Sequence, residues 1–397
     1  MNRTSSKIVE EKILTLPSIE ASSKQEGEHK MNILINRRRF MQASSAIAVS
    51  ALAAPAVSAS AQTTGELRVL TYGGQLGKIV IDAYAKPFEA ETGITVIPVT
   101  QDFELAQLEL MQKTNSVSID VGPMGSGAAL QANEKGYLEK IDYSLFRKDD
   151  VEGLLPTVKQ DFGVGFFFYS LNLVYNTKKY PADKPRPSNW AEFWDVQKFP
   201  GVRYMVSGQY GNEGPWEEAL LADGVSPDKL YPMDIDRIFA SLDKIKPHVR
   251  KWWTSGSEIQ QVMLSGSGDL MQAYDGRAAH SIAQGAALEM SRSQAKLTCD
   301  YWVIPKNAPN AQNAQKFVEF VSRAENQANF AKLYPEGPTN KNAFKLLTEE
   351  IGLTLPSHPS NVQKAILLNG PWYSEVGSDG LSNMQQLVQR WSEWVLR

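Results

Sequence analysis

The stretch FGVGFFFYSLNLVYNTKKYP, from Phe162 to Pro181, limits most sharply what this chain can fold into. It is a long apolar, aromatic run with two glycines, followed by a polar, proline-rich segment to Pro187. Such a run reads as two buried strands, and a strand crossing between two lobes would look the same. Strand-to-helix units surround it. ELRVLTY has β-type residues ending in Gly73-Gly74, and Ile79, Ala83, Tyr84 and Phe88 then keep helical spacing between Lys78 and Glu91. Gly93 is placed to end that helix, and ITVIPV follows as a strand, which completes a βαβ unit of an α/β protein.

A second unit spans SIDVGPMGSGAALQANEKGYLEKI: a strand through Val121, a glycine-rich turn, a helix closed by Gly136, and a short apolar segment. Gly125-Ser126-Gly127 either bares backbone N–H groups at a helix start, where they can hold a polar or anionic group, or forms a tight turn needing positive φ. From SNWAEFWDVQKFPG onward a new set of elements begins. VRYMVSG reads as a strand and Gly211-Asn212-Glu213-Gly214 as its loop. PWEEALLADG reads as a helix with Pro215 in its first turn, acidic residues near its start and Gly224 after its end. SEIQQVMLSG is a helix, DLMQAY a strand, and DGRAAHSIAQGAALEMS a glycine-interrupted helix. The lack of a short internal repeat argues against a solenoid.

The N-terminal region has a separate character. Arg37 and Arg38, followed by Arg39, Phe40 and Met41, fit a twin-arginine export signal, and the uncharged run after them ends in Ala59-Ser60-Ala61 before Gln62, a small-x-small cleavage site. Pro55 and weak hydrophobicity argue against a spanning helix. Residues 1–30 are polar without a core pattern and read as an extension, 31–61 as the signal, so Met31 is the expected start. A mature chain of roughly 335 residues has room for two lobes with their own cores. The periplasm is the expected location. With Cys299 as the single cysteine no intramolecular disulfide can form, and packing alone must suffice there.

Absences narrow the chemistry. A net charge of -3 offers no basic field for nucleic acid. There is no G-x-S-x-G elbow, no Walker A sequence and no G-x-G-x-x-G in a strand-to-helix turn. His29, His248, His280 and His358 are scattered, none at metal-ligand spacing from another or from Cys299, which reads as a buried apolar cysteine. No enzyme, metal or cofactor is expected. Ligands of open α/β sheets bind outside the carboxyl ends of the strands, which points to Tyr72, Met124 to Ser126, Tyr210 to Asn212 and Tyr274 to Arg277.

The segments FEAETGITVIPV, DVGPMGSGAALQANEKGYLEKID, NWAEFWDVQKFPG, YDGRAA, CDYWVIPKNAPNAQNAQKFVEFV, YPEGPTNKNA and NGPWYSEV follow one another in this order. The ordered set resembles the extracellular solute-binding proteins of ABC importers, in particular the branch with spermidine and putrescine binders, over nearly the whole mature chain. The resemblance implies a two-lobed periplasmic-binding-protein fold of type II. Each lobe would be an α/β sheet flanked by helices: lobe 1 of residues 62–168 with 303–335, and lobe 2 of 169–302 with 336–397, joined by a hinge. It also implies a monomer that closes on a small amine or amino-acid-like solute and then docks on an inner-membrane ABC permease. An exported enzyme or a binding-only sensor on the same scaffold is the alternative.

Carried over residue by residue, the resemblance puts Asp300 where a family aspartate grips an amine, and Tyr274 where an indole lines the methylene chain. Tyr72 with Gly73 lies near an aromatic position, Gln75 near a polar one, and Tyr373 at a polar contact. Thr298 replaces a second tryptophan, QYGNEG puts no aspartate at the other acidic position, and Gly125-Ser126 lacks the usual tyrosine, so a long dication would miss an anchor. Arg277 could hold a carboxylate through two parallel hydrogen bonds, or pair with Asp275 or Glu289 as structure. If it faces the cleft, the ligand is a zwitterion, an ω-amino acid or an opine-like conjugate, with its amine on Asp300. Trp252, Trp253 and Trp302 either line the cleft by cation–π contact or pack in the core. The expected ligand set is thus Tyr72, Gly73, Gln75, Gly125, Ser126, Tyr210, Asn212, Tyr274, Asp275, Arg277, Asp300, Trp302 and Tyr373.

Overall fold

The aromatic run becomes one strand. In the computed structural model, which describes residues 65–100, 103 and 105–397, β4 spans Gly163–Asn176, and every residue but Asn176 is buried. The readings of residues 1–61 as extension and export signal lie outside the described residues.

Nine strands carry the layout among the described residues. β1 (Glu66–Leu70) pairs in parallel with β2 (Thr95–Val99), and the helical segment between them, Gly74 to Thr92, ends at Gly93 with φ 71°, as its position predicts. β3 (Gly122–Gly125), β4, β5 (Arg203–Val206), β6 (Val249–Trp253), β7 (Leu270–Tyr274), β8 (Leu288–Val303) and β9 (Ile366–Leu367) form a mixed sheet ordered β3-β8-β4-β7-β5-β6, with β9 on β8.

β4 and β8 run through two groups of apolar cores. Val164, Phe166 and Phe167 pack with Tyr84, Trp302 and Phe330 on the first side, whereas Leu173 and Tyr175 pack with Trp190, Met205 and Trp391 on the other. β8 makes the same passage, from Leu288 to Cys299 and Trp302. The β4–β8 register breaks twice, between Gly165 and Phe168 and between Leu171 and Leu173, so the ladder is irregular where the cores change.

Residues Leu297 to Val303 pack with Leu70, Met124 and Phe317. Thr339 and Asn340 hydrogen-bond to Gln327, Gly165 and Asp150. The strand expected to stop at Val121 instead occupies Gly122–Gly125, and Gly125 has φ -58°, so no positive-φ turn precedes the helix Ser126–Glu134. The glycine-interrupted helix also stops early, at Ala283, because Gly285 turns the chain at φ 88° and Leu288 and Met290 then pair with Asn176 and Val174 of β4.

Between β5 and the helix Trp216–Ala222 the chain makes a tight turn, Gly208–Glu213. Gly208 is pinned between two buried indoles: a Cβ there would lie 2.4 Å from Trp391 Cδ2 and 2.5 Å from Trp216 Cη2. Gly208→Ala is therefore expected to cost about 1–3 kcal/mol through overpacking. A thermal melt reads this as a lowered midpoint, and an unchanged midpoint would mean that the rings can step aside.

Candidate functional site

Strand ends from both groups of cores converge on a cleft of about 1180 Å³. Tyr72 follows β1, Tyr169 lies within β4, Tyr274 ends β7, Asp300 lies on β8, and the turn after β5 supplies Glu213. Tyr72 has φ 62°, a left-handed conformation that a non-glycine residue adopts at a cost of about 1–2 kcal/mol. From there its hydroxyl donates to Asp300 Oδ2 at 2.9 Å.

The two carboxylates meet at one hydroxyl. Tyr169 Oη lies 2.6 Å from Glu213 Oε1 and 3.1 Å from Asp300 Oδ1, while Tyr274 donates to Glu213 Oε2. A hydroxyl carries one proton, so Tyr169 can serve only one of the two oxygens at a time. Glu213 makes no ion pair among the described residues. Burial, reinforced by Asp300 and Glu213, pushes the Tyr169 hydroxyl well above its usual range; burial and then Glu213 do the same to Tyr274. Both tyrosines stay neutral donors. Their rings stand 5.9 Å apart at 61°, and Trp253 backs Tyr274 edge-on at 5.5 Å.

Arg277 also lines the cleft. Its Nη1 donates to Gln260 Oε1 at 2.7 Å, and it forms no ion pair among the described residues. Both acids considered as structural partners are taken elsewhere: Asp275 by Arg292 at 3.0 Å, and Glu289 by Arg186 at 2.7 Å. Glu336 borders the same space. Burial pushes its carboxyl well up, with Asp275 adding to the shift, and its Oε2 has no hydrogen-bond partner.

Of the sequence-predicted residues, Tyr72, Gly73, Gly125, Tyr210, Asn212, Tyr274, Arg277 and Asp300 come together around the cleft. The Gln75 side chain lies outside the described part. Ser126 is buried just behind the wall, where its Oγ accepts from Asn212 Nδ2 at 3.2 Å. Three residues lie away from the cleft wall. Asp275 is buried and held by Arg292 and by the Ser170 N–H, so it braces the helix start instead of lining the cleft. Trp302 lies two residues along β8 from Asp300, where Phe166, Phe317 and Tyr84 already cover it. Tyr373 is fully buried and donates to Glu217 Oε1 at 2.6 Å. Trp252 packs on Trp391 and Trp394, and Trp253 is wholly buried.

Glu213 and Tyr169 also line the cleft and were not among the residues expected from the sequence. For Tyr169 a signal was present, since a buried tyrosine in a largely apolar strand needs a partner for its hydroxyl. Cys299 is buried, with its thiol pushed up to about 12 by burial, and so is poorly suited to nucleophilic work. Among the described residues no helix is long and apolar enough to cross a membrane, and no His/Cys/Asp/Glu group could hold a metal ion.

Comparison with known proteins adds to this geometry. A sequence profile of bacterial extracellular solute-binding proteins matches residues 83–351. The gamma-aminobutyric acid-binding protein of Pseudomonas aeruginosa is 30% identical over 348 residues, covering 86% of this chain and 94% of that protein. The spermidine/putrescine-binding periplasmic protein of Salmonella typhimurium is 22% identical over 297 residues, covering 73% and 82%. The crystal structure of an ABC transporter substrate-binding protein from Bradyrhizobium japonicum superposes with a TM-score of 0.76 at 30% identity, over 83% of this chain and 99% of that one.

Proposed function

We propose that this chain, which belongs to the bacterial extracellular solute-binding proteins and has the two-lobed α/β fold of type II periplasmic binding proteins, captures a small zwitterion of the ω-amino-acid type and hands it to an ABC permease. The observation that carries this reading is the meeting of Glu213 and Asp300 at the Tyr169 hydroxyl in a cleft that also presents Arg277. An ammonium group has three N–H donors where the tyrosine has one, and each hydrogen bond to a charged group contributes about 1.5–3 kcal/mol. Tyr72, Tyr169 and Tyr274 line the cleft, and aromatic rings suit a cation and the methylenes beside it. At the other end of the ligand, the Arg277 fork matches a carboxylate.

A bare diamine fits less well, because its second ammonium would meet the guanidinium. γ-Aminobutyrate, after which the Pseudomonas relative is named, carries the required pair of opposite charges. A ligand touching groups from both lobes binds the closed form better and shifts the population toward it, and the permease reads that closed shape. On the same reading the chain is exported to the periplasm by the twin-arginine route, loses its signal near Ala61, works as a monomer and leaves its ligand chemically unchanged.

Calorimetric titration with γ-aminobutyrate, putrescine and spermidine, followed in parallel by tryptophan fluorescence, tests the assignment. We expect one site, tightest for the zwitterion, with the ligand recovered intact. Turnover of the ligand, or a preference for spermidine, would reject it.

A further inference from the structure

Behind the turn that carries Glu213 lies a cluster of charge with almost no exposure. Lys296 is 1% exposed, and Glu217 and Glu218 are 0%. Lys296 Nζ lies 2.8 Å from Glu217 Oε2 and 3.1 Å from Glu218 Oε2, and donates to the carbonyl oxygens of Gly214 at 2.5 Å and Glu213 at 3.4 Å. Glu217 is held in turn by the hydroxyls of Tyr231 and Tyr373, and Glu218 by Gln272 Nε2 at 2.8 Å.

Stability alone does not account for such a cluster. Burying an ammonium and two carboxyl groups is costly, burial pushing Glu218 up to about 7, and well-packed apolar side chains of similar volume often serve a core as well or better. Trp190, Phe193, Leu220 and Trp391 form one core with Tyr373, which holds Glu217. The ammonium instead fixes the end of a turn whose glycines leave it free to adopt other paths, Gly211 having φ 61°. Lys296 and Asp300 also share β8, four residues apart. One strand therefore carries both the Asp300 carboxylate and the cation that holds the backbone of Glu213.

We propose that Lys296 is a positioning residue for solute binding, anchoring the Gly208–Glu213 turn to β8 so that the Glu213 carboxylate stands opposite Asp300. The inference rests on the reading of those two carboxylates as the ammonium site. It also gives Tyr373 a role: through Glu217 it orients the lysine.

The test is a double-mutant cycle on the whole mature protein, with γ-aminobutyrate and putrescine as probes. One arm is Glu213→Gln. The other neutralises the cluster with Lys296→Met, Glu217→Gln and Glu218→Gln together, which leaves no buried charge unpaired. We expect a cooperative melt from the neutralised variant, and binding of the tighter probe weakened roughly 20-fold or more, while in the Glu213→Gln background the same changes add less than about threefold. A merely structural role would weaken both backgrounds alike. If the neutralised variant binds as wild type, or its loss simply multiplies that of Glu213→Gln, the positioning role is overturned and the ammonium site stands. If Glu213→Gln itself binds as wild type, or the wild type binds neither probe, both fall. Should the neutralised variant give no cooperative melt, Glu217→Gln alone, which keeps acceptors for both tyrosines but removes a counter-charge from Lys296, goes through the same cycle with the same criteria.

Discussion

Asp300→Asn is expected to weaken γ-aminobutyrate binding by about 30- to 1000-fold, about 2–4 kcal/mol, with the fold intact. The substitution keeps the shape of the side chain and an oxygen that can accept from Tyr72 or Tyr169, whose hydroxyls lie 2.9 and 3.1 Å from the carboxylate. What it removes is the charge. In a cleft walled by tyrosines a cation recovers little from water, so losing one of two carboxylates removes much of what holds the ammonium. Glu213→Gln is expected to act in the same direction, and the pair together to bring binding below detection. Calorimetry on the three variants decides the matter: affinities within threefold of wild type for Asp300→Asn would place the ammonium elsewhere.

Arg277→Ala is expected to do something different, changing which ligand is preferred. Loss of a bidentate, charge-assisted contact should weaken γ-aminobutyrate by about 30- to 150-fold, about 2–3 kcal/mol. Putrescine, which has no carboxylate and is repelled by the guanidinium, should bind as well as before or better. Arg277→Lys should fall between, because a compact ammonium keeps the charge without the planar fork. The Arg277 hydrogen bond to Gln260 at 2.7 Å is the contact most exposed to a structural side effect, so Gln260→Ala serves as the control. If all affinities survive in Arg277→Ala, the zwitterion is the wrong ligand class.

The alternation of strands and helices, the helix stop at Gly93 and the clustering of cleft-lining groups at strand ends were all legible from residue patterns. They depend on local periodicity and on the rule that open α/β sheets bind at their carboxyl ends. Asp300, Tyr72, Tyr274 and Arg277 were therefore within reach. Glu213 was not, because the path of a turn with Gly211 at φ 61° decides which side chain faces inward, and no periodicity records that. For a related reason the sequence did not show that Trp302 and Tyr373 lie away from the cleft wall. A position along a strand or helix says which way a side chain leaves the backbone, but not whether another element already covers it, as Phe317 covers Trp302 and Glu217 captures Tyr373. Glu217 lies 156 positions from Tyr373, and Phe317 belongs to a helix that follows β8. The start of β8 was hidden by the helix-like spacing of GAALEMS, which tertiary pairing with β4 overrode.

Tyr169 stands between the two breaks in the β4–β8 ladder, after the one at Gly165/Phe168 and before the one at Leu171/Leu173. β4 and β8 thus run through both groups of cores as one ribbon, and its pairing is interrupted on either side of a residue that lines the cleft. A cation seated between Glu213 and Asp300 would displace the Tyr169 hydroxyl in the middle of that ribbon. Sensing and bending would then be one mechanical event, with no separate relay needed between the bound solute and the turning of one lobe against the other.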